Sequence, residues 1–165
     1  MSKQPVISCE FFPPKTEKGA QNLLLVQERL AVLKPEFYSV TFGAGGSTQD
    51  NTLEAVIAIQ QRAAETGIGA APHLSCVGSS KERIRTILQT YIDNGISRVV
   101  ALRGDLPSGM RDPGDFRYAN ELVQFIRKET GDHFTIEVAA YPEVHPQAQD
   151  AGVDLENFKR KVFQH

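Results

Sequence analysis

The chain has 165 residues, 41% hydrophobic and 23% charged, with a formal net charge of −2. Those proportions suit one globular domain with a real core and exclude a disordered chain. Dispersed Lys and Arg leave no electrostatic footprint for nucleic acid or an anionic membrane, Met1-Ser2-Lys3-Gln4-Pro5 opens no signal peptide, and no stretch approaches the roughly 20 apolar residues of a membrane span, so a cytoplasmic protein is expected.

In chain order, Val6-Ile7-Ser8-Cys9 is the first expected strand and runs into Glu10. A helix is expected from about Glu17 to Leu33, ending before Pro35. Tyr38-Ser39-Val40 forms a second strand running into Thr41. Gly43-Ala44-Gly45-Gly46 then leads to a helix from Ser47 or Thr48 to about Thr66, with Leu53, Val56 and Ile57 inward and Gly67 just beyond its end. Ala70-Ala71-Pro72 runs into His73. The next helix opens on Ser79-Ser80-Lys81-Glu82, a capping-box pattern, and carries Ile84, Ile87, Leu88, Tyr91 and Ile92 on one stripe before Asn94-Gly95 closes it. Val99-Val100-Ala101-Leu102 is an apolar strand that ends directly on Arg103-Gly104-Asp105. A fourth helix is expected from about Asp115 to Thr130 with Gly131 at its end, then a strand, Thr135 to Ala140, running into Tyr141. A fifth helix is expected near Asp154, with Leu155, Phe158 and Val162 inward.

Strands alternating with helices of this length mean βαβ units and a parallel sheet, either doubly wound and open or a (β/α)8 barrel of which about five units are present. At the first strand-helix turn, a dinucleotide-binding open sheet would carry Gly-x-Gly-x-x-Gly; this chain has Glu10-Phe11-Phe12-Pro13-Pro14-Lys15. Gly43-Ala44-Gly45-Gly46 lacks the Walker Lys-Ser/Thr and is a weak phosphate signal alone. Polar groups at five consecutive strand ends favour the barrel, where they would share one pocket. Cys9 and Cys76, far apart inside apolar segments, are read as reduced, buried small hydrophobes, and no metal-ligand cluster is visible.

The segments Cys9-Glu10-Phe11-Phe12-Pro13-Pro14, Tyr38-Ser39-Val40-Thr41-Phe42-Gly43-Ala44, Ala71-Pro72-His73-Leu74-Ser75-Cys76, Ala101-Leu102-Arg103-Gly104-Asp105-Leu106-Pro107 and Ala139-Ala140-Tyr141-Pro142-Glu143-Val144-His145-Pro146, in this order, resemble the N-terminal part of the methylenetetrahydrofolate reductases. The resemblance implies an FAD-binding (β/α)8 barrel, here residues 1–165 as one incomplete domain. It further implies a homo-oligomer that passes hydride from NADH or NADPH to 5,10-methylenetetrahydrofolate, giving 5-methyltetrahydrofolate. The ending Phe163-Gln164-His165 does not look like the family's continuation, so a truncated chain is expected, with two sheet edges unpaired unless chains pair or swap. A catalytically inactive flavin-binding fragment and a non-catalytic oligomeric interaction module stay open beside the reductase, and proline oxidation by a related flavin barrel is the runner-up chemistry.

By resemblance Glu10 is the catalytic acid, and its apolar flanks Phe11, Phe12, Pro13 and Pro14 are expected to disfavour the carboxylate. Its plainer reading is a carboxylate paired with a cation or capping a helix. Asp105 matches a residue beside the flavin and the folate, and Arg103 a flavin-phosphate contact, with a structural Arg-Asp pair on a tight turn around Gly104 as the alternative. Thr41, Phe42 and Ala44 match positions lining the flavin and nicotinamide sites, and His73 a flavin-contacting His, although a lone His after an apolar strand is more often a core residue. Tyr118, Ala119, Tyr141, His145, Ala148, Asp154, Asn157, Arg160 and Lys161 fall on further FAD-binding positions; a basic pair such as Arg160-Lys161 is otherwise an ordinary solvated helix face.

Overall fold

The computed structural model describes residues 6–42, 46–105, 114–141, 143–145 and 148–163. Five strands, β1 (Ser8–Phe11), β2 (Phe37–Val40), β3 (Gly69–Ser75), β4 (Arg98–Leu102) and β5 (Thr135–Val138), alternate with helices α1 (Glu17–Leu30), α2 (Gly46–Thr66), α3 (Lys81–Asp93), α4 (Ala119–Thr130) and α5 (Ala151–Val162). The strands form one sheet in the order β1-β2-β3-β4-β5, with β1, β2 and β3 pairing in parallel. That unbroken order decides between the two candidate architectures. A doubly wound sheet reverses direction at a switch point, whereas a barrel adds each strand beside the one before it. No helix among the described residues is long and apolar enough to cross a membrane.

The chain divides into two compact units, residues 1–73 with 91–98, and residues 74–90 with 99–165. In the first, all four residues of β2 are buried, whereas β1, at the sheet edge, has none fully buried. Phe11 packs edge-on against Tyr38 with ring centroids 5.4 Å apart, and the Tyr38 hydroxyl donates to the Gln27 carbonyl at 2.8 Å, tying β2 to α1. On α2, Val56, Ala55 and Ile59 are buried, while Leu53 and Ile57 of the expected inward face are only half-buried. Gln60 joins this unit twice over, accepting from the Ala70 N–H at 3.0 Å and donating to the Gly95 carbonyl at 2.9 Å. The first helix is shorter than expected: α1 stops at Leu30, a 3-10 turn covers Ala31–Leu33, and Lys34 turns left-handed at φ 52. Pro35 denies the residue before it the α region.

In the second unit Phe116, Phe134, Leu74, Ile84, Leu122 and Ile126 make the largest part of the core, with Phe116 and Phe125 edge-on at 5.4 Å. α3 begins where expected, and two later helix starts depart from expectation. On α3, Ser80 accepts from the Arg83 N–H at 3.2 Å, and Asp115, 34 residues downstream, accepts from the Lys81 N–H at 2.8 Å. Asp115 therefore serves α3, and α4 begins only at Ala119, where the Glu121 carboxylate reaches back to the N–H groups of Arg117 and Tyr118. α5 begins at Ala151 because Asp150 accepts from the Val153 N–H at 2.8 Å, a Ser/Asp-type cap one turn ahead of Asp154. Leu155 and Val162 of α5 are exposed and Phe158 is half-buried, so the expected inward stripe is not covered among the described residues.

Candidate functional site

In the first unit the β-sheet register places Glu10 beside Ser39 and Ser39 beside Ala71. Side chains alternate along a strand, so Glu10, Ser39, Ala71 and His73 belong to one face, and Cys9, Tyr38, Ala70 and Pro72 to the other. His73 is thus a residue of β3 itself rather than of the loop after it. Its Nε2 lies 3.2 Å from Glu10 Oε2. The imidazole is buried, and burial pushes its pKa below the ordinary value while the Glu10 carboxylate pulls it back up. Glu10 does not have the apolar enclosure expected of it: its side chain is 56% exposed and Phe12 points to solvent, because β1 is an edge strand. The partner that shapes this carboxyl is His73.

Thr41 and Phe42, just past β2, are half-buried. The Thr41 N–H donates to the Phe11 carbonyl at 2.9 Å, and its own carbonyl accepts from the buried Thr52 hydroxyl at 3.0 Å. Backbone at this strand end is therefore held from both sides. Ala44 lies outside the described residues.

In the second unit Arg103, Gly104 and Asp105 follow β4. Cys76 and Val77 N–H groups donate to the carbonyls of Leu102 and Arg103 at 3.2 and 2.9 Å, and Ser75 Oγ donates to the Arg103 carbonyl at 3.0 Å. Those three bonds fix the turn. The Arg103 guanidinium is 4.0 Å from Asp105 at the limit of an ion pair, and the Asp105 side chain is 97% exposed, so the tight structural pair is not what the geometry offers. Cys76 is buried below this turn, its sulfur 3.7 Å from the Arg103 carbonyl and 3.8 Å from that of Tyr118, and burial pushes its thiol up to about 11. Cys9, by contrast, is half-buried.

Among the downstream candidates, Tyr141 and His145 meet edge-on at 4.5 Å, and the His145 N–H donates to Asp154 Oδ2 at 2.9 Å. Ala148 donates its N–H to the His145 carbonyl at 2.9 Å, closing the turn. Lys161 Nζ donates to the Ala139 carbonyl at 2.7 Å; burial lowers its pKa and Asp154 opposes that shift. The segment after β5 and α5 is thus stitched together by Tyr141, His145, Asp154 and Lys161. Asn157 is half-buried, whereas Arg160 is exposed beside Glu156 at 3.8 Å, an ordinary helix-surface pair. Tyr118 presents an exposed ring at the start of α4, next to the half-buried Ala119.

Sequence reasoning did not single out Ser39, Ser75, Thr52 or Glu121. Ser39 carried a signal, since a small polar residue in a four-residue buried strand is out of pattern; the other three act on partners too distant, or too local to the backbone, for periodicity to mark.

The chain matches the family described as methylenetetrahydrofolate reductase over residues 1–164. The chain belongs to the methylenetetrahydrofolate reductase family. Its relatives include the 5,10-methylenetetrahydrofolate reductases of Salmonella typhimurium and Escherichia coli, each 49% identical over 156 residues, covering 94% of this chain and 50% of the relative. The Zea mays protein named methylenetetrahydrofolate reductase (NADH) 1 is 42% identical over 168 residues, covering 94% of this chain and 28% of that one. The chain spans about half the length of the bacterial family members it matches.

Proposed function

We propose that this chain carries the first five units of a methylenetetrahydrofolate reductase barrel, a single catalytic domain in the whole protein, which acts in the cytoplasm as a homo-oligomer. The reaction is reduction of 5,10-methylenetetrahydrofolate to 5-methyltetrahydrofolate with hydride from NADH or NADPH. The observation that carries this reading is the Glu10 carboxyl near the carboxyl end of β1, open to solvent on one side and held by His73 at 3.2 Å on the other. Ligands bind at that end of barrel strands.

Opening the folate's methylene bridge requires a proton on the departing amine nitrogen. Glu10 gives that proton, the C–N electron pair leaves with the nitrogen, and the iminium carbon left behind takes the hydride. Asp105, matched by resemblance to a residue beside the folate, is the second proposed catalytic carboxylate, its negative charge suited to stabilising a developing cation. The donor set fits a flavin dinucleotide: Arg103 and Lys161 are cations suited to a diphosphate, and the exposed rings of Tyr118 and Tyr141 offer flat faces for its aromatic parts. Held there, FAD would supply the hydride relay between the nicotinamide and the folate. Thr41, Phe42, Ala44, His73, Gly104, Ala119, His145, Ala148, Asp154, Asn157 and Arg160 complete the proposed flavin and nicotinamide contacts. NADH as donor gains support from the naming of the plant relatives as NADH enzymes.

The test is an absorption spectrum of the purified chain after incubation with FAD and desalting, followed by anaerobic NADH. Retained flavin that bleaches supports both the flavin site and its reduction. Retained flavin that stays oxidised restricts this chain to binding, and loss of all flavin overturns the proposed contacts.

A further inference from the structure

Glu10 and His73 stand on β1 and β3, two strands apart, which is about 10 Å of sheet. Their side chains nevertheless meet at 3.2 Å. On that face of β2 Ser39 pairs with Glu10 on one side and Ala71 on the other, and His73 lies two residues past Ala71, so the contact runs diagonally past Ser39. Ser and Ala are short enough to let a carboxyl and an imidazole close over them; a β-branched residue at position 39 would stand in the gap. A small polar residue in the otherwise large, buried strand Phe37-Tyr38-Ser39-Val40 thereby acquires a purpose.

The geometry points to His73 as the positioning residue of Glu10: reaching over the gap at Ser39, a neutral imidazole clamps Oε2 with its Nε2–H and leaves Oε1 as the oxygen that carries the proton to substrate. The inference rests on the reading of Glu10 as proton donor. While Glu10 holds its proton on Oε1, Oε2 accepts a hydrogen bond from a neutral group. Once the proton has gone, the same bond falls on a carboxylate and is stronger, so the clamp favours the state in which the proton has left. Burial keeps the imidazole neutral for this role. Glu10 on β1 is the charged group acting on it; Tyr38 of the adjoining β2 lies on the opposite face, its hydroxyl committed to the Gln27 carbonyl.

The experiment is a long-range proton-nitrogen NMR titration of the imidazole rings between pH 5 and 8, on the chain itself, on Glu10→Gln and on Ser39→Val, with His133 and His145 as internal references. Expected are an Nε2–H tautomer for His73 at neutral pH and, in both variants, a downward shift of its midpoint by roughly 1 pH unit as the carboxylate is removed or pushed away. An Nδ1–H tautomer, or a midpoint unmoved in Glu10→Gln, overturns the clamp; a midpoint unmoved in Ser39→Val alone overturns the role of the gap. Amide spectra establish that each variant is folded, and Glu10→Gln, at a half-exposed edge position, stands if Ser39→Val does not fold. The readout needs neither flavin nor folate. A chain that shows the coupling but binds no flavin therefore overturns the proposed flavin contacts and leaves the clamp in place.

Discussion

A methyl group added to Gly104 would lie 1.9 Å from Ser75 Oγ, and 3.1 Å from the Ser75 Cβ and Val77 Cγ1. Gly104 also has φ +82, which side chains rarely adopt. Gly104→Ala is expected to destabilise the fold by roughly 2 to 4 kcal/mol, the sum of overpacking and backbone strain. Urea denaturation measures it, and Ser75→Gly in the same chain should recover the steric part while the strain remains. An unchanged midpoint in Gly104→Ala would show that the turn after β4 is not held as described.

Cys76 and Cys9 should differ in reactivity. The Cys76 thiol is pushed up to about 11 by burial, from an ordinary value of 9.0. At pH 8.5, iodoacetamide followed by mass spectrometry should therefore modify the half-buried Cys9 well before Cys76, and the preference should vanish in urea. A folded-state pKa above the unfolded one means that the unfolded chain loses its proton first. This contribution to stability is complete below pH 9 and is lost as pH rises through 11, so the urea midpoint should fall across that window and fall less in Cys76→Ala.

Asp115→Ala should cost about 1 kcal/mol, the usual value of an N-cap acceptor. Amide exchange locates the loss: the first turn of α3 should lose protection although the substitution is 34 residues away, with the start of α4 unaffected. Fraying of α4 instead would assign Asp115 to the helix nearest it in sequence.

For Glu10→Gln in a folate-competent family protein, flavin reduction by the nicotinamide should proceed at an undiminished rate, while transfer to methylenetetrahydrofolate should fall by 10² to 10⁴, the range of a lost general acid. Rapid-mixing spectroscopy separates the two half-reactions. An equal loss in both would make Glu10 structural.

Much of this was legible because it is local. The α3 stripe of Ile84, Leu88 and Tyr91 is buried as its spacing indicates, and the apolar run ending at Leu102 delivers Arg103-Gly104-Asp105 to the end of β4. The polar strand ends could be read because charges directly behind a buried strand have few other places to go. What escaped is what crosses the chain. Asp115 caps α3 rather than opening α4 because its partner Lys81 lies outside any local window, and α5 starts ahead of Asp154 because Asp150 caps it. The expected apolar shell around Glu10 failed for a topological reason: Phe12 neighbours Glu10 in sequence, but an edge strand leaves such neighbours facing water.

The unbroken strand order has a consequence for synthesis. Each strand pairs with the one made immediately before it, so every new helical crossover completes a pairing surface that already exists. Within these five units β2, β3, β4 and β5 each find a partner already made, whereas the central strands of a doubly wound sheet wait for one encoded downstream. Such short closures keep the entropic cost of each step low and favour folding in the direction of translation. A ribosome releasing this chain unit by unit would thus extend the sheet at one advancing edge, and the clamp between Glu10 and His73 would be assembled once β3 had emerged, before Arg103 had.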